Sequence, residues 1–107
     1  MMFVADTLQR AGRGAVSPEL ARELLARGGQ LVDLRLPEQY GRDAVAGAVN
    51  LPMAALGHDY RHLDRHEPVI VYGAGDMACV RAARLLAGQG FAHIYHLDLT
   101  DAGRILV

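Results

Sequence analysis

The chain has no lysine and no tryptophan, and it contains a single cysteine among its 107 residues. Without lysine, chemistry that depends on a lysine amine, such as Schiff-base formation or a P-loop, is excluded. One cysteine cannot form an internal disulfide, so a reducing compartment, the cytoplasm, is expected. These absences exclude several enzyme classes and leave Cys79 as the only thiol.

The sequence also lacks a targeting segment and the strong net charge that favours binding to nucleic acid or membranes. The first ten residues, MMFVADTLQR, contain no basic segment followed by an apolar stretch, so no signal peptide is expected. No apolar run approaches the length of a membrane span. A formal net charge of −1 argues against nucleic acid or an anionic membrane as the main partner. We expect a cytoplasmic protein that binds neither of them.

What is present is typical of one globular domain. Hydrophobic residues make up 51% of the chain and charged residues 21%, and this length suits a single core. Residues 1–15 show no clear period, and we predict an N-terminal extension there, followed by one domain over residues 16–107.

Helical and strand patterns alternate along that domain. A helix is predicted over 17–29, with Ser17 as N-cap and Leu20, Leu24 and Leu25 along one face. The other predicted segments are a strand at 30–34, a short helix at 37–43, a β element at 47–52, a partly helical stretch at 53–66, a strand at 69–72, a helix at 77–87, a strand at 91–97 and a final turn within 100–107.

This order of elements predicts an α/β fold. Strands that alternate with helices form a mostly parallel sheet, here of about five strands, with helices on both faces. The unbroken apolar run 69-VIVY-72 is predicted to be central in that sheet. A functional site is expected at the carboxyl ends of the strands.

Several motifs, in one order, resemble a rhodanese-like (sulfurtransferase) domain over roughly residues 16 to 98. That family has a strand ending in D-x-R, a short helix with an acidic–aromatic pair, a G-H-I-x-G-A-x-N-[IL]-P segment, and a strand leading into C-x-x-G-x-R-[ST]. Asp33-Leu34-Arg35 matches the first motif, Glu38 and Tyr40 fit the second, and 47-GAVNLP-52 matches the second half of the third. The resemblance implies a three-layer rhodanese-like domain.

The departures from the family pattern lie on the residues that carry its chemistry. Gly73 stands where the resemblance places the nucleophilic cysteine, Asp76 replaces the loop glycine, and Ala78 replaces the arginine that ends the loop. Cys79 takes the place of the following Ser or Thr. The candidate loop consists of Gly73, Ala74, Gly75, Asp76, Met77 and Ala78.

In the family, as the resemblance implies, the loop amides surround a cysteine sulfur that carries a sulfane sulfur as a persulfide. Gly73 cannot form that intermediate, since glycine has no side chain. The Asp76 carboxylate either fills the place of a bound anion or repels an anionic substrate, and Ala78 removes the nearest cation. We therefore predict a non-catalytic binding or regulatory module, for a protein partner or for a second copy of itself.

Cys79 offers an alternative function. A thiol in the field of a helix N-terminus has a lowered pKa, and Cys79 could replace the lost nucleophile as a persulfide carrier. The opposing interpretation is a core thiol, because Cys79 shares a helical face with Ala82, Ala83 and Leu86. Burial is favoured, since it requires no special geometry.

Other polar residues are less informative. His58, His62 and His66 recur at spacings of four, which on one continuous helix would suit a metal ion, but no fourth ligand is evident. A solvated helix end is the favoured interpretation, and no metal or cofactor is expected. His93 and His96 are predicted on opposite faces of one strand, so they form no ligand pair.

Asp33, Arg35 and Asn50 are expected to support the site structurally, the first two as a buried ion pair or as a cap for neighbouring loops. A catalytic role for Asp33 is disfavoured, because no base or nucleophile is evident near it.

Overall fold

The computed structural model describes residues 16–103. In chain order the elements are α1 (Pro18–Ala26), β1 (Gln30–Asp33), α2 (Pro37–Asp43), β2 (Val49–Asn50), a 3-10 turn (Met53–Ala55), α3 (Leu56–Asp59), a second 3-10 turn (Tyr60–His62), β3 (Val69–Tyr72), α4 (Asp76–Gly88), β4 (Ile94–Leu97) and α5 (Leu99–Ala102). The predictions for residues 1–15 and for the end of the tail, 104–107, lie outside the described residues.

The sheet is parallel throughout and has the order β2-β1-β3-β4. β3 pairs with β1 on one side and with β4 on the other, so its predicted central position is confirmed. The prediction of about five strands is wrong for residues 16–103, which form four. That count came from the usual size of sheets, whereas only four stretches in this range have a strand-like pattern.

Helices cover both faces of the sheet because β3 is apolar on both sides. Val69 and Val71 contribute to one core cluster, which includes residues of α3 and α4. Ile70 and Tyr72 contribute to a second cluster, which includes residues of α1 and α5. The alternation of side chains along a strand thus produces a three-layer α/β domain.

Helix α1 begins as predicted and differs in the face it buries. The Ser17 hydroxyl accepts a hydrogen bond from the Leu20 backbone N–H at 3.1 Å, and Pro18 follows at the first helical position. The sequence places Leu20 on one face with Leu24 and Leu25, yet Leu20 is 38% exposed and Ala21 is fully buried. At 100° per residue the stripe that packs on the sheet passes through Ala21, Leu24 and Leu25, so Leu20 lies at its margin.

The last strand is shorter than predicted. β4 begins at Ile94, so His93 precedes the strand and does not share it with His96. The His93 carbonyl accepts a hydrogen bond from the Val69 N–H at 2.9 Å. Along residues 16–103 no helix combines the length and the apolar character needed to cross a membrane.

Candidate functional site

A buried ion pair lies where β1 ends. The Arg35 Nη2 donates to Asp33 Oδ2 at 2.8 Å, and its Nε contacts both carboxylate oxygens at 3.1 Å. Arg35 Nη1 donates to Asp43 Oδ1 at 2.8 Å. The Arg35 guanidinium is therefore bound by two carboxylates, which fixes the direction of its side chain.

Electrostatics favour the charged form of both partners. Burial raises the pKa of Asp33, but hydrogen bonds from the Arg35 side chain and backbone outweigh that effect, so the pKa lies below its ordinary value. The pKa of Arg35 is raised, chiefly by its hydrogen bond to Asp33. Each member of the pair therefore favours the charged form of the other.

Asn50 connects β2 to the same strand end. Its Nδ2 donates to the backbone oxygens of Asp33 at 3.0 Å and of Arg35 at 2.9 Å. Tyr72 adds a further support, because its hydroxyl accepts from the Val45 N–H at 3.2 Å. The structure thus brings together Asp33, Arg35 and Asn50, the three residues expected to support the site.

The loop after β3 is built from unusual backbone conformations. Gly73, Ala74 and Gly75 have φ angles of +86°, +61° and +89°, the left-handed region that glycine tolerates best. Gly73 is buried, whereas Ala74 and Gly75 are exposed. Three successive positive φ angles turn the chain sharply from β3 into the N-terminus of α4.

Gly73 has no room for a side chain in this conformation. A Cβ atom placed on it would lie 2.6 Å from Arg35 Cγ, 3.1 Å from Arg35 Cδ and 3.5 Å from Asp33 Oδ1. Real Cβ contacts essentially never fall below 3.0 Å. The aliphatic part of the anchored Arg35 side chain therefore occupies the space beside Gly73 that a larger residue would need.

Asp76 begins α4, and its side chain is 89% exposed. Its Oδ1 lies 3.5 Å from Nε2 of His96, a buried residue of β4. The sequence predicts that Asp76 either fills the place of an anion or repels one, and in the structure its carboxylate faces solvent and His96.

Sequence reasoning did not connect His96 with the loop. His96 lies on the face of β4 that carries the buried Ile94, and its Nδ1 atom is buried without a hydrogen-bond partner in the described structure. The sequence does contain an indication that His96 is buried. It stands two positions after the core residue Ile94, on a strand face that is otherwise apolar.

Cys79 is a core residue on α4. It is 1% exposed, and its Sγ donates to the Gly73 carbonyl oxygen at 3.5 Å. Burial, with a smaller effect of the Asp76 and Asp98 charges, raises the pKa of the thiol to about 12. The thiol is therefore protonated near neutral pH.

The three regularly spaced histidines are not brought onto one helix face. His58 lies in the single turn of α3, His62 ends the following 3-10 turn, and His66 lies beyond it. The His58 side chain is 80% exposed. Within residues 16–103 no group of three or more His, Cys, Asp or Glu side chains is arranged to hold a metal ion.

Comparisons with known proteins agree with this architecture. The thiosulfate sulfurtransferase GlpE of Ectopseudomonas mendocina (strain ymp) is 37% identical over 84 residues, which cover 78% of this chain and 76% of that protein. The GlpE of Pseudomonas entomophila (strain L48) is 34% identical over 83 residues, with the same coverage of both chains.

Solved structures show the same fold. The crystal structure of the Alr3790 protein from Anabaena sp. has a TM-score of 0.71 at 26% identity, over 83% of this chain and 84% of that one. A rhodanese with anions from E. coli has a TM-score of 0.63 at 27% identity, over 69% and 91%. The family model described as a rhodanese-like domain matches residues 17–99. The chain belongs to the rhodanese-like domain family.

Proposed function

We propose that this protein is a non-catalytic rhodanese-homology domain that acts as a binding or regulatory module for a protein partner. The observation that carries the proposal is the contact between Gly73 and Arg35. The nucleophile position holds a glycine at φ +86°, and the Arg35 stem lies where a side chain would begin. Position 73 therefore lacks the sulfur atom that a covalent sulfur carrier needs, and the Arg35 side chain occupies the space for it.

The burial of Cys79 supports the same proposal. A relocated nucleophile must be ionised to attack a sulfane sulfur and must be accessible to donor and acceptor in turn. The Cys79 thiol is 1% exposed, and its pKa is raised to about 12. A free buried thiol is compatible with the reducing cytoplasm, which we propose as the compartment.

Sulfur transfer from thiosulfate to cyanide tests the proposal directly. The purified protein is compared with the GlpE of Ectopseudomonas mendocina, a named thiosulfate sulfurtransferase, at equal concentration. We expect no thiocyanate above the uncatalysed rate and no added sulfur on Cys79 by mass spectrometry. Turnover at a rate similar to that of the relative would refute the proposal, and a Cys79 persulfide formed in the native protein would establish the carrier function instead.

A second arm examines position 73 itself. In the variant Gly73→Cys, the new Cβ meets the Arg35 stem, so we expect no gain in thiocyanate formation. Circular dichroism establishes that the variant is folded at the assay temperature. Robust turnover by the folded variant would contradict the argument that Arg35 excludes a nucleophile from this position.

A further inference from the structure

A pocket of about 340 Å³ opens at the carboxyl edge of the sheet, between the segment after β1 and the start of α4. Its walls are mostly apolar and include Leu36, Pro52, Met53 and Ala74. The size lies at the lower end of the range for ligand pockets. It is large enough for a side chain of a partner to enter.

The charged residues that line this pocket are both arginines. Two arginines, Arg35 and Arg81, are among the lining residues, and no lining residue is acidic. Arg35 is bound by two carboxylates, those of Asp33 and Asp43, and supplies no free positive charge. In the part of the chain that the structure describes, Arg81 is exposed and forms no ion pair, so it supplies a free positive charge at the wall of the pocket.

Exposed apolar side chains flank the same opening. Leu36 is 59% exposed and Met77 is 72% exposed, although both are large hydrophobic residues. Leu36 lines the pocket, and Met77 precedes the pocket residue Arg81 by four positions on α4, which places both on one side of that helix. Apolar anchors beside a charged rim are characteristic of sites that bind protein chains.

We infer that this pocket docks a short acidic peptide segment of a protein partner, with an apolar side chain inserted among Leu36, Pro52 and Met53 and a neighbouring carboxylate on Arg81. Charge complementarity selects an acidic segment, because the free cation has no counter-charge in the pocket. A small inorganic anion would leave the apolar walls without a partner. The inference rests on the proposed function, since it names the partner chemistry of that same site.

A selection from a phage library of random heptapeptides tests the inference. Immobilised protein selects the peptides, and the variant Arg81→Glu removes those that bind elsewhere. We expect enrichment of sequences that place Asp or Glu next to a large apolar residue. Absence of enrichment, or enrichment without acidic residues, would overturn the inference.

The strongest enriched peptide is then synthesised and measured by fluorescence anisotropy. Arg81→Glu and Leu36→Ser should each weaken binding by about tenfold or more, as expected for residues at the centre of a contact. The matched control is Arg84→Glu, which changes an exposed arginine of the same helix that does not line the pocket and should alter binding by less than about twofold. Equal losses at Arg81 and Arg84 would show nonspecific charge attraction and refute the site.

Two further measurements separate this inference from alternatives. Dimerisation in analytical ultracentrifugation that Arg81→Glu abolishes would identify a second copy of the chain as the occupant and overturn the inference. If calorimetry shows sulfate binding that depends on Arg81, and no peptide binds, the occupant is a small anion and the inference is overturned. The thiosulfate assay tests the proposed lack of catalysis separately. If the protein is inactive in that assay and selects no peptide, the docking inference is refuted and the lack of catalysis is not.

Discussion

Replacement of Gly73 by alanine tests the central contact of the site. The added Cβ would lie 2.6 Å from Arg35 Cγ, and Arg35 cannot move freely because Asp33 and Asp43 hold its guanidinium at 2.8 Å. Overpacking of this kind costs about 1–3 kcal/mol. The positive φ of +86° adds strain for a residue with a side chain, which costs about 1–3 kcal/mol. We therefore expect Gly73→Ala to lower the free energy of unfolding by about 2–6 kcal/mol.

Gly75→Ala is the matched control for backbone strain. Gly75 has φ +89°, close to the value at Gly73, but a Cβ placed there meets no atom within 4 Å. Only the strain remains, so the expected loss is about 1–3 kcal/mol. The difference between the two variants measures the contact with Arg35.

Urea unfolding followed by circular dichroism gives both free energies. Thermal unfolding provides a second measure, since each 1 kcal/mol shifts the midpoint of a small domain by about 4–8 °C. Failure of Gly73→Ala to fold, while Gly75→Ala folds, also agrees with the prediction. A Gly73→Ala variant no less stable than Gly75→Ala would refute the reasoning, because it would show that Arg35 does not restrict position 73.

Three further predictions follow from the buried polar groups. Iodoacetamide should label Cys79 only after unfolding, because the thiol is buried with its pKa raised to about 12, and rapid labelling of the native protein would contradict this. The pKa of Asp33 is lower in the folded state than in the unfolded state. Its ion pair with Arg35 therefore stabilises the fold at pH values above the ordinary carboxyl pKa of about 4, and this stability is lost as the pH falls through the pKa of the folded state. Asp33→Asn should therefore weaken the acid dependence of the free energy of unfolding, and an unchanged pH profile would disprove the linkage. Tyr72→Phe removes the acceptor of the Val45 N–H and should cost about 1 kcal/mol in urea unfolding, whereas an equal or greater stability would show that the bond contributes nothing.

Local sequence patterns were sufficient to predict the main elements. Ser17 and Pro18 begin α1, since a hydroxyl cap and a proline both suit the first turn of a helix. The apolar run of β3 occupies the centre of the sheet, because a strand buried on both faces needs no polar side. Such patterns depend on neighbouring residues alone, so they can be recognised without the fold.

The burial of Cys79 was also foreseeable from periodicity. Its spacing from Ala82, Ala83 and Leu86 places all four on one helix face, and the structure buries that face. The same periodicity groups Leu20 with Leu24 and Leu25, yet Leu20 is exposed, because residues at the edge of a helical stripe are buried or exposed according to what packs beside them. Periodicity locates the centre of a face well and its margin poorly.

The sequence by itself determined that position 73 has no side chain that could act as a nucleophile. Only the tertiary structure decided what occupies the space beside it. Arg35 follows β1 and Gly73 follows β3, so their contact depends on the parallel pairing of these two strands and on the two carboxylates that direct the guanidinium. The approach of Asp76 to His96 likewise joins α4 to β4. Contacts between segments distant in the chain arise from packing in three dimensions, and no local pattern records them.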